Sequence, residues 1–273
     1  SGNYDEESAR WTVRLEKEDG SRREMQPRHI VMATGVSGIP NIPDIRGLQM
    51  FDGQVLHSSQ YNDGEDWKEQ NVLILGTGNS GHDIAQDLYS AGASVTLVQR
   101  SPTLIINIEP SAQFPYALYD EVPSLEDCDL ITTSMPLKLM RESHREFTAR
   151  AKEMDRPLLE KLERVGFKLD FGEDETGWQF KYLSRGGGYY FNVGCSELIA
   201  DEKVRLIEFE SIELFEPRGA RMKNGDLITA DLIVLATGYK GQEQLVKKLF
   251  CDEVSERIGS IWGFGEDQEL RGM

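Results

Sequence analysis

The run Asn71-Val72-Leu73-Ile74-Leu75-Gly76-Thr77-Gly78-Asn79-Ser80-Gly81-His82-Asp83-Ile84-Ala85 decides how this chain folds. Its first five residues are dominated by the aliphatic side chains that fill strands of a buried parallel sheet, and a glycine-rich turn follows them directly. From His82 to Ala91, Ile84, Ala85 and Leu88 share one helical face, and Gly92 ends the segment. Val95 to Val98 is a second apolar strand. Strand, glycine turn, helix and strand within about 30 residues make a βαβ unit, whose crossover in a parallel sheet is right-handed.

In such a unit each glycine has a separate task. Gly76 permits the tight turn, Gly78 lets the backbone approach a pyrophosphate with no Cβ in the way, and Gly81 lets the helix pack close on the strand. Together with Thr77, Asn79 and Ser80 they form a phosphate-binding turn, because unpaired N–H groups and the positive end of the helix dipole attract anions there. The alternative is an ordinary glycine-rich turn; the strand, helix and second strand around it favour dinucleotide binding. The second strand ends in Gln99-Arg100-Ser101, where an NAD-binding chain would present a carboxylate to the adenosine ribose. A guanidinium holds a 2′-phosphate instead, which points to NADP(H).

Around this unit the composition sets limits. The chain has 273 residues, 39% hydrophobic and 28% charged, which gives no support to a disordered or fibrous protein. No apolar run reaches the roughly 18 residues of a membrane span, so neither a membrane nor a signal peptide is expected. Thirty basic against 47 acidic residues leave a net charge of −17, which repels nucleic acid and requires any anionic ligand to be held locally. Cys128, Cys195 and Cys251 are widely separated, with no CxxC spacing. They read as reduced thiols of a cytoplasmic protein, and the chain offers no metal site.

A weak internal repeat extends the picture. Trp11, Val13 and Leu15 alternate, Asp19-Gly20 breaks the pattern, and Ile30 to Ala33 resumes as a buried strand closing an antiparallel meander. The plan returns as Ile212 to Phe215, a break at Asn224-Gly225-Asp226, and the run Leu232 to Ala236. Both copies end in Ala-Thr-Gly, as Ala33-Thr34-Gly35 and Ala236-Thr237-Gly238. Residues 101–203 form an insertion of loop and helix, with Leu137 to Leu169 mostly helical. In it Gly186-Gly187-Gly188 is a flexible turn before Tyr189, Tyr190 and Phe191, which either pack in a core or line a substrate pocket. His144 and Glu153 read as solvated.

Between the first Ala-Thr-Gly and the βαβ unit lies Phe51-Asp52-Gly53-Gln54-Val55-Leu56-His57-Ser58-Ser59-Gln60-Tyr61. This FxGxxxHSxxY pattern, with the turn at 76–81 and the strand ending Gln99-Arg100-Ser101, resembles the flavin-containing monooxygenases, class B flavoprotein monooxygenases, from about Trp11 to the C-terminus. The resemblance implies an enzyme in which NADPH reduces FAD and the reduced flavin transfers an oxygen atom from O2 to a small organic substrate. It assigns Gly76, Gly78 and Gly81 to the NADP pyrophosphate, Arg100 to the 2′-phosphate, and Phe51, Gly53, His57, Ser58 and Tyr61 to a fingerprint linking two nucleotide domains. It implies FAD in the full-length protein, the two Ala-Thr-Gly segments lying near the cofactors, and leaves the catalytic residues, the substrate and the oligomeric state undefined.

The resemblance also departs from its family. No GxGxxG precedes Ala33, and the chain ends at Met273, before the expected flavin-contacting segment. An internal fragment, inactive alone, is the expectation. Its fold class is α/β, a Rossmann-like NADP-binding domain over residues 67–240, with incomplete pieces of an FAD-binding domain at 1–66 and 241–273. Two other readings remain. A flavin-dependent disulfide reductase would need a redox cysteine pair, and a non-catalytic NADP-binding sensor would carry no flavin.

Overall fold

The computed structural model describes residues 1–120 and 123–271, so residues 121 and 122 of the expected NADP domain and residues 272 and 273 of the return segment lie outside the described residues. The chain divides into a smaller unit, residues 1–41 with 238–273, and a larger one, residues 42–237.

The smaller unit opens with an antiparallel meander of β1 (Gly2–Asp5), β2 (Arg10–Glu16) and β3 (Arg22–Met25). The expected strand at Ile30 to Ala33 does not form, and Val31 is 86% exposed. An apolar run becomes a strand only where another strand satisfies its backbone; among the described residues none pairs with this one. The first Ala-Thr-Gly is an exposed loop that leads to β4 (Ile39–Pro40).

In the larger unit β5 (Gln54–His57), β6 (Asn71–Leu75), α1 (Asn79–Ser90) and β7 (Ser94–Gln99) follow in turn. The helix begins three residues before His82, inside the glycine motif, because extended Gly78 caps it. The insertion holds β8 (Leu104–Asn107), α2 (Leu125–Ser134), the 28-residue α3 (Leu137–Arg164), α4 (Gly177–Arg185), β9 (Tyr189–Asn192) and α5 (Cys195–Ala200). Strand β10 (Arg205–Glu208) is followed by an antiparallel meander of β11 (Ile212–Glu216), β12 (Gly219–Met222) and β13 (Leu227–Thr229), and then by β14 (Leu232–Leu235). The chain re-enters the smaller unit through β15 (Tyr239–Lys240), which pairs with β4, and ends in α6 (Gln242–Leu249) and α7 (Asp252–Ile258). Phe250, just after α6, sets its ring 5.1 Å from Trp11 of β2.

The central sheet runs β10-β7-β6-β14-β5, all parallel. Side chains alternate across it, so each strand feeds two cores. Val72, Ile74, Leu232 and Val234 face a core shared with Ile84, Ala85, Leu88 and Leu162. Leu73, Leu75, Ile233 and Leu235 face another core formed with Phe51, Phe215, Ala220 and Ile228. A helix layer thus covers one face and the meander the other. Residues 42–66, expected with the first FAD-domain piece, lie in the larger unit because β5 hydrogen-bonds along β14.

Phe215, fully buried in β11, anchors the meander against the sheet. Phe215→Ala should lower the unfolding free energy by about 3–5 kcal/mol in urea titrations. A loss below about 1 kcal/mol would mean that the meander is not part of the core.

Candidate functional site

The chain reverses across the sheet between β6 and β14, and in open α/β sheets the crevice outside such a switch point takes the ligand. Here the crevice is built by three close backbones. Gly76 has φ +123, and a Cβ there would overlap the Ala236 carbonyl just after β14. At Gly81 a Cβ would overlap the Gly76 carbonyl. Both glycines are therefore required by the packing of the chain itself. Gly78 is different: its φ of −83° suits any residue, and a Cβ built there meets nothing within 4 Å.

The helix start beside Gly78 has no side-chain cap and no acidic residue in its first turn. Helix α1 thus presents its positive end and its first N–H groups without a carboxylate competing for them. At the tip of β7, Gly76 N–H donates to the Val98 carbonyl at 3.0 Å, joining the glycine turn to the strand that leads to Arg100. Arg100 is exposed, its Nε lies 3.4 Å from Ser101 Oγ, and it makes no ion pair among the described residues.

Several residues expected at the cofactor have other partners. Gln99 is fully buried, and its amide donates to the Lys168 carbonyl at 2.9 Å and accepts from the Lys168 N–H at 2.8 Å. It ties the insertion to β7 and, fully buried, presents no surface to a ribose. The Thr77 hydroxyl is buried against that of Thr103 at 2.6 Å, so only its backbone remains at the turn. Asn79 Oδ1 accepts from the Phe191 N–H at 3.1 Å, while Ser80 is exposed at the helix start. Ala236 forms the wall behind Gly76 and Gly81, and Thr237 is half-buried beside it. Gly238 opens the smaller unit, where its carbonyl accepts from Asn41 N–H at 2.9 Å. In that unit Ala33 and Thr34 are exposed, and the Gly35 carbonyl accepts from the Gln242 amide.

The Phe51 to Tyr61 fingerprint closes the sheet edge within the larger unit. Phe51 fills the meander-side core, and a Cβ on Gly53 would meet its ring and the Asp231 carbonyl. Buried His57 accepts from Ser59 N–H at 3.2 Å while its own N–H donates to Gln60 Oε1 at 3.1 Å, a reciprocal cap on the turn holding Ser58. The Tyr61 hydroxyl donates to Asp87 of α1 at 2.6 Å; burial and that carboxylate both push its pKa up.

The sequence reading passed over His82. It follows the last glycine on the buried face of α1, is fully buried, and stacks on Tyr190 with ring centroids 4.0 Å apart and planes 10° apart. Burial pushes its pKa down to about 4, against the opposing pull of the Gly78 and Thr77 backbone. The legible signal was its helical spacing to Ala85. Tyr190 and Tyr189 are core residues of β9. His144, expected in solvent, is buried on α3 with its ring 5.6 Å from Phe147 and 5.4 Å from Phe180, and burial lowers its pKa to about 4. The charged pattern of α3 hid the one stripe that faces inward. Glu153 is exposed, as expected.

Residues 11–122 match the family model described as "Pyridine nucleotide-disulphide oxidoreductase". "Probable indole-3-pyruvate monooxygenase YUCCA10" of Arabidopsis thaliana is 30% identical over 242 residues, 88% of this chain and 56% of that protein. "Probable indole-3-pyruvate monooxygenase YUCCA3" of the same plant is 36% identical over 244 residues, 88% of this chain and 51% of that protein. Over most of its length the chain is similar to flavin monooxygenases. It spans about half the length of the curated relatives it matches. A crystal structure of cyclohexanone monooxygenase from Rhodococcus sp. Phi1 bound to NADP+ superposes with a TM-score of 0.61 at 17% identity, covering 91% of this chain and 52% of that one. At that identity the likeness concerns the fold, and it agrees with a Rossmann-like domain. No helix among the described residues is long and apolar enough to cross a membrane.

Two measurements check this geometry. Gln99→Leu removes the acceptor of the half-buried Lys168 N–H, while the Lys168 carbonyl keeps the Thr103 N–H, and should cost about 1–3 kcal/mol in urea denaturation. For His82 and His144, folded pKa values near 4 against 6.5 for the free side chain mean that the unfolded chain binds more protons between those limits. Their contribution to stability is complete above pH 6.5 and falls as pH drops toward 4. Urea titrations across that range should show the decline, and His144→Phe should flatten it.

Proposed function

We propose that this chain is the NADP(H)-binding part of an FAD-dependent monooxygenase that oxygenates a small organic substrate using O2 and NADPH. Gly78 carries this reading. Gly76 and Gly81 are explained by contacts inside the chain, whereas the open space at Gly78 has no internal reason, and a Cβ there would intrude on a ligand seated at the helix start. The donor set suits a pyrophosphate: helix N–H groups at Asn79, Ser80 and Gly81, with no carboxylate in the first turn, inside a protein of net charge −17. Arg100, exposed at the end of β7 and outside any ion pair among the described residues, is the group proposed for the 2′-phosphate and hence for preference of NADPH over NADH.

NADPH, when bound, supplies hydride to the flavin. The chain's part is to hold the phosphates, to fix the turn through the Thr77–Thr103 and Asn79–Phe191 hydrogen bonds, and to place the second Ala-Thr-Gly beside it. The smaller unit is proposed as part of the FAD-binding domain, and a cytoplasmic location fits three free thiols. The disulphide chemistry in the family description needs a cysteine pair, and residues 11–122 contain no cysteine, which favours the monooxygenase reading.

Titration calorimetry should show NADPH binding more tightly than NADH, and equal or absent binding overturns the assignment. Arg100→Ala should weaken NADPH by about 1–3 kcal/mol and spare NADH. Gly78→Ala should change folding stability by less than about 1 kcal/mol, because its backbone is unstrained, yet weaken both nucleotides. Unchanged affinity in that variant would remove the main support for the site.

A further inference from the structure

We infer that His82 is a positioning residue for the phosphate-binding turn: its side chain, protonated on Nδ1, clamps the Gly78 carbonyl and so aims the Asn79 N–H at the ligand. The identity of that ligand rests on the function proposed above; the clamp itself rests on geometry. The Gly78 carbonyl accepts twice from one residue, from the His82 backbone N–H at 3.1 Å and from His82 Nδ1 at 3.2 Å. An oxygen acceptor requires a donor opposite it, so the proton sits on Nδ1 and Nε2 is the bare nitrogen. Nε2 is buried and has no hydrogen-bond partner among the described residues.

The peptide bond transmits this to the site. The Gly78 carbonyl and the Asn79 N–H belong to one planar unit and point in opposite directions, so fixing the first fixes the second. Without a side chain Gly78 has the widest freedom to rotate that plane, and its openness is the feature the ligand needs. A clamp from the next helical turn restores the order that the missing Cβ would have supplied. The imidazole is held in turn by the Tyr190 stack and by Phe167, whose ring centroid lies 5.9 Å away. The first turn of α1 is thus positioned from below by the insertion.

Two variants in the full chain separate the clamp from mere packing. His82→Phe keeps an aromatic ring against Tyr190 and loses the donor, whereas His82→Asn places an amide nitrogen near the Nδ1 position and loses the ring. The clamp predicts that Phe weakens NADPH and NADH alike by about three- to tenfold, the worth of one net hydrogen bond, while Asn stays within about twofold of wild type despite a lower melting temperature. A packing role predicts the reverse order. Wild-type affinity in His82→Phe, or His82→Asn binding as weakly as His82→Phe, overturns the inference. Nitrogen-15 NMR of the ligand-free protein at pH 7 gives an independent reading: a protonated Nδ1 supports the clamp, and a protonated Nε2 overturns it. Wild-type protein that does not bind NADPH would count against the proposed function, and the tautomer would still decide the clamp.

Discussion

The larger unit depends on one close approach, in which the Ala236 carbonyl lies against Gly76 and the Gly76 carbonyl lies against Gly81. The end of β14, the end of β6 and the start of α1 meet there with no space for a Cβ at either glycine. This contact lets β6 and β14 lie side by side across the chain reversal. It also starts α1 at the carboxyl end of the central strand β6, with no side-chain cap on its first N–H groups. An anion placed there meets an oriented dipole in place of the protein's general negative field.

The insertion supports this corner. Thr103 holds Thr77, Phe191 holds Asn79, Tyr190 carries the His82 ring, and Lys168 is bonded through its backbone to Gln99 at the end of β7. Four points around the glycine turn are thus fixed from residues 101–203, which looked like the least regular part of the chain. The fingerprint does comparable work at the β5 edge of the sheet, where β5 pairs with β14 and Tyr61 ties the following loop to α1. Its residues have local structural reasons within the larger unit.

Much of the sheet was legible because its strands are written in continuous apolar runs. Asn71–Leu75 and its glycine turn, the stop at Gly92 and the break at Asn224-Gly225-Asp226 all lie where the pattern placed them. Ile30 to Ala33 has the same composition and forms no strand, since a strand needs a paired neighbour that composition cannot report. The helix boundary was missed by three residues because Gly78 caps α1 with its backbone, leaving no side-chain signature.

The sequence by itself determined the βαβ unit, its glycine turn and the cation at the end of β7, because local backbone demands allow few residue types at those positions. Only the tertiary structure decided which of the neighbouring polar groups are taken up by partners inside the chain. Gln99 and Thr77 turned inward because Lys168, 69 residues further along the chain, and Thr103, 26 residues further along, supply partners away from water. His82 likewise became part of the turn only once Tyr190 was folded beneath it. Hydrogen-bond satisfaction is a property of the assembled interior, and no spacing along the chain encodes it.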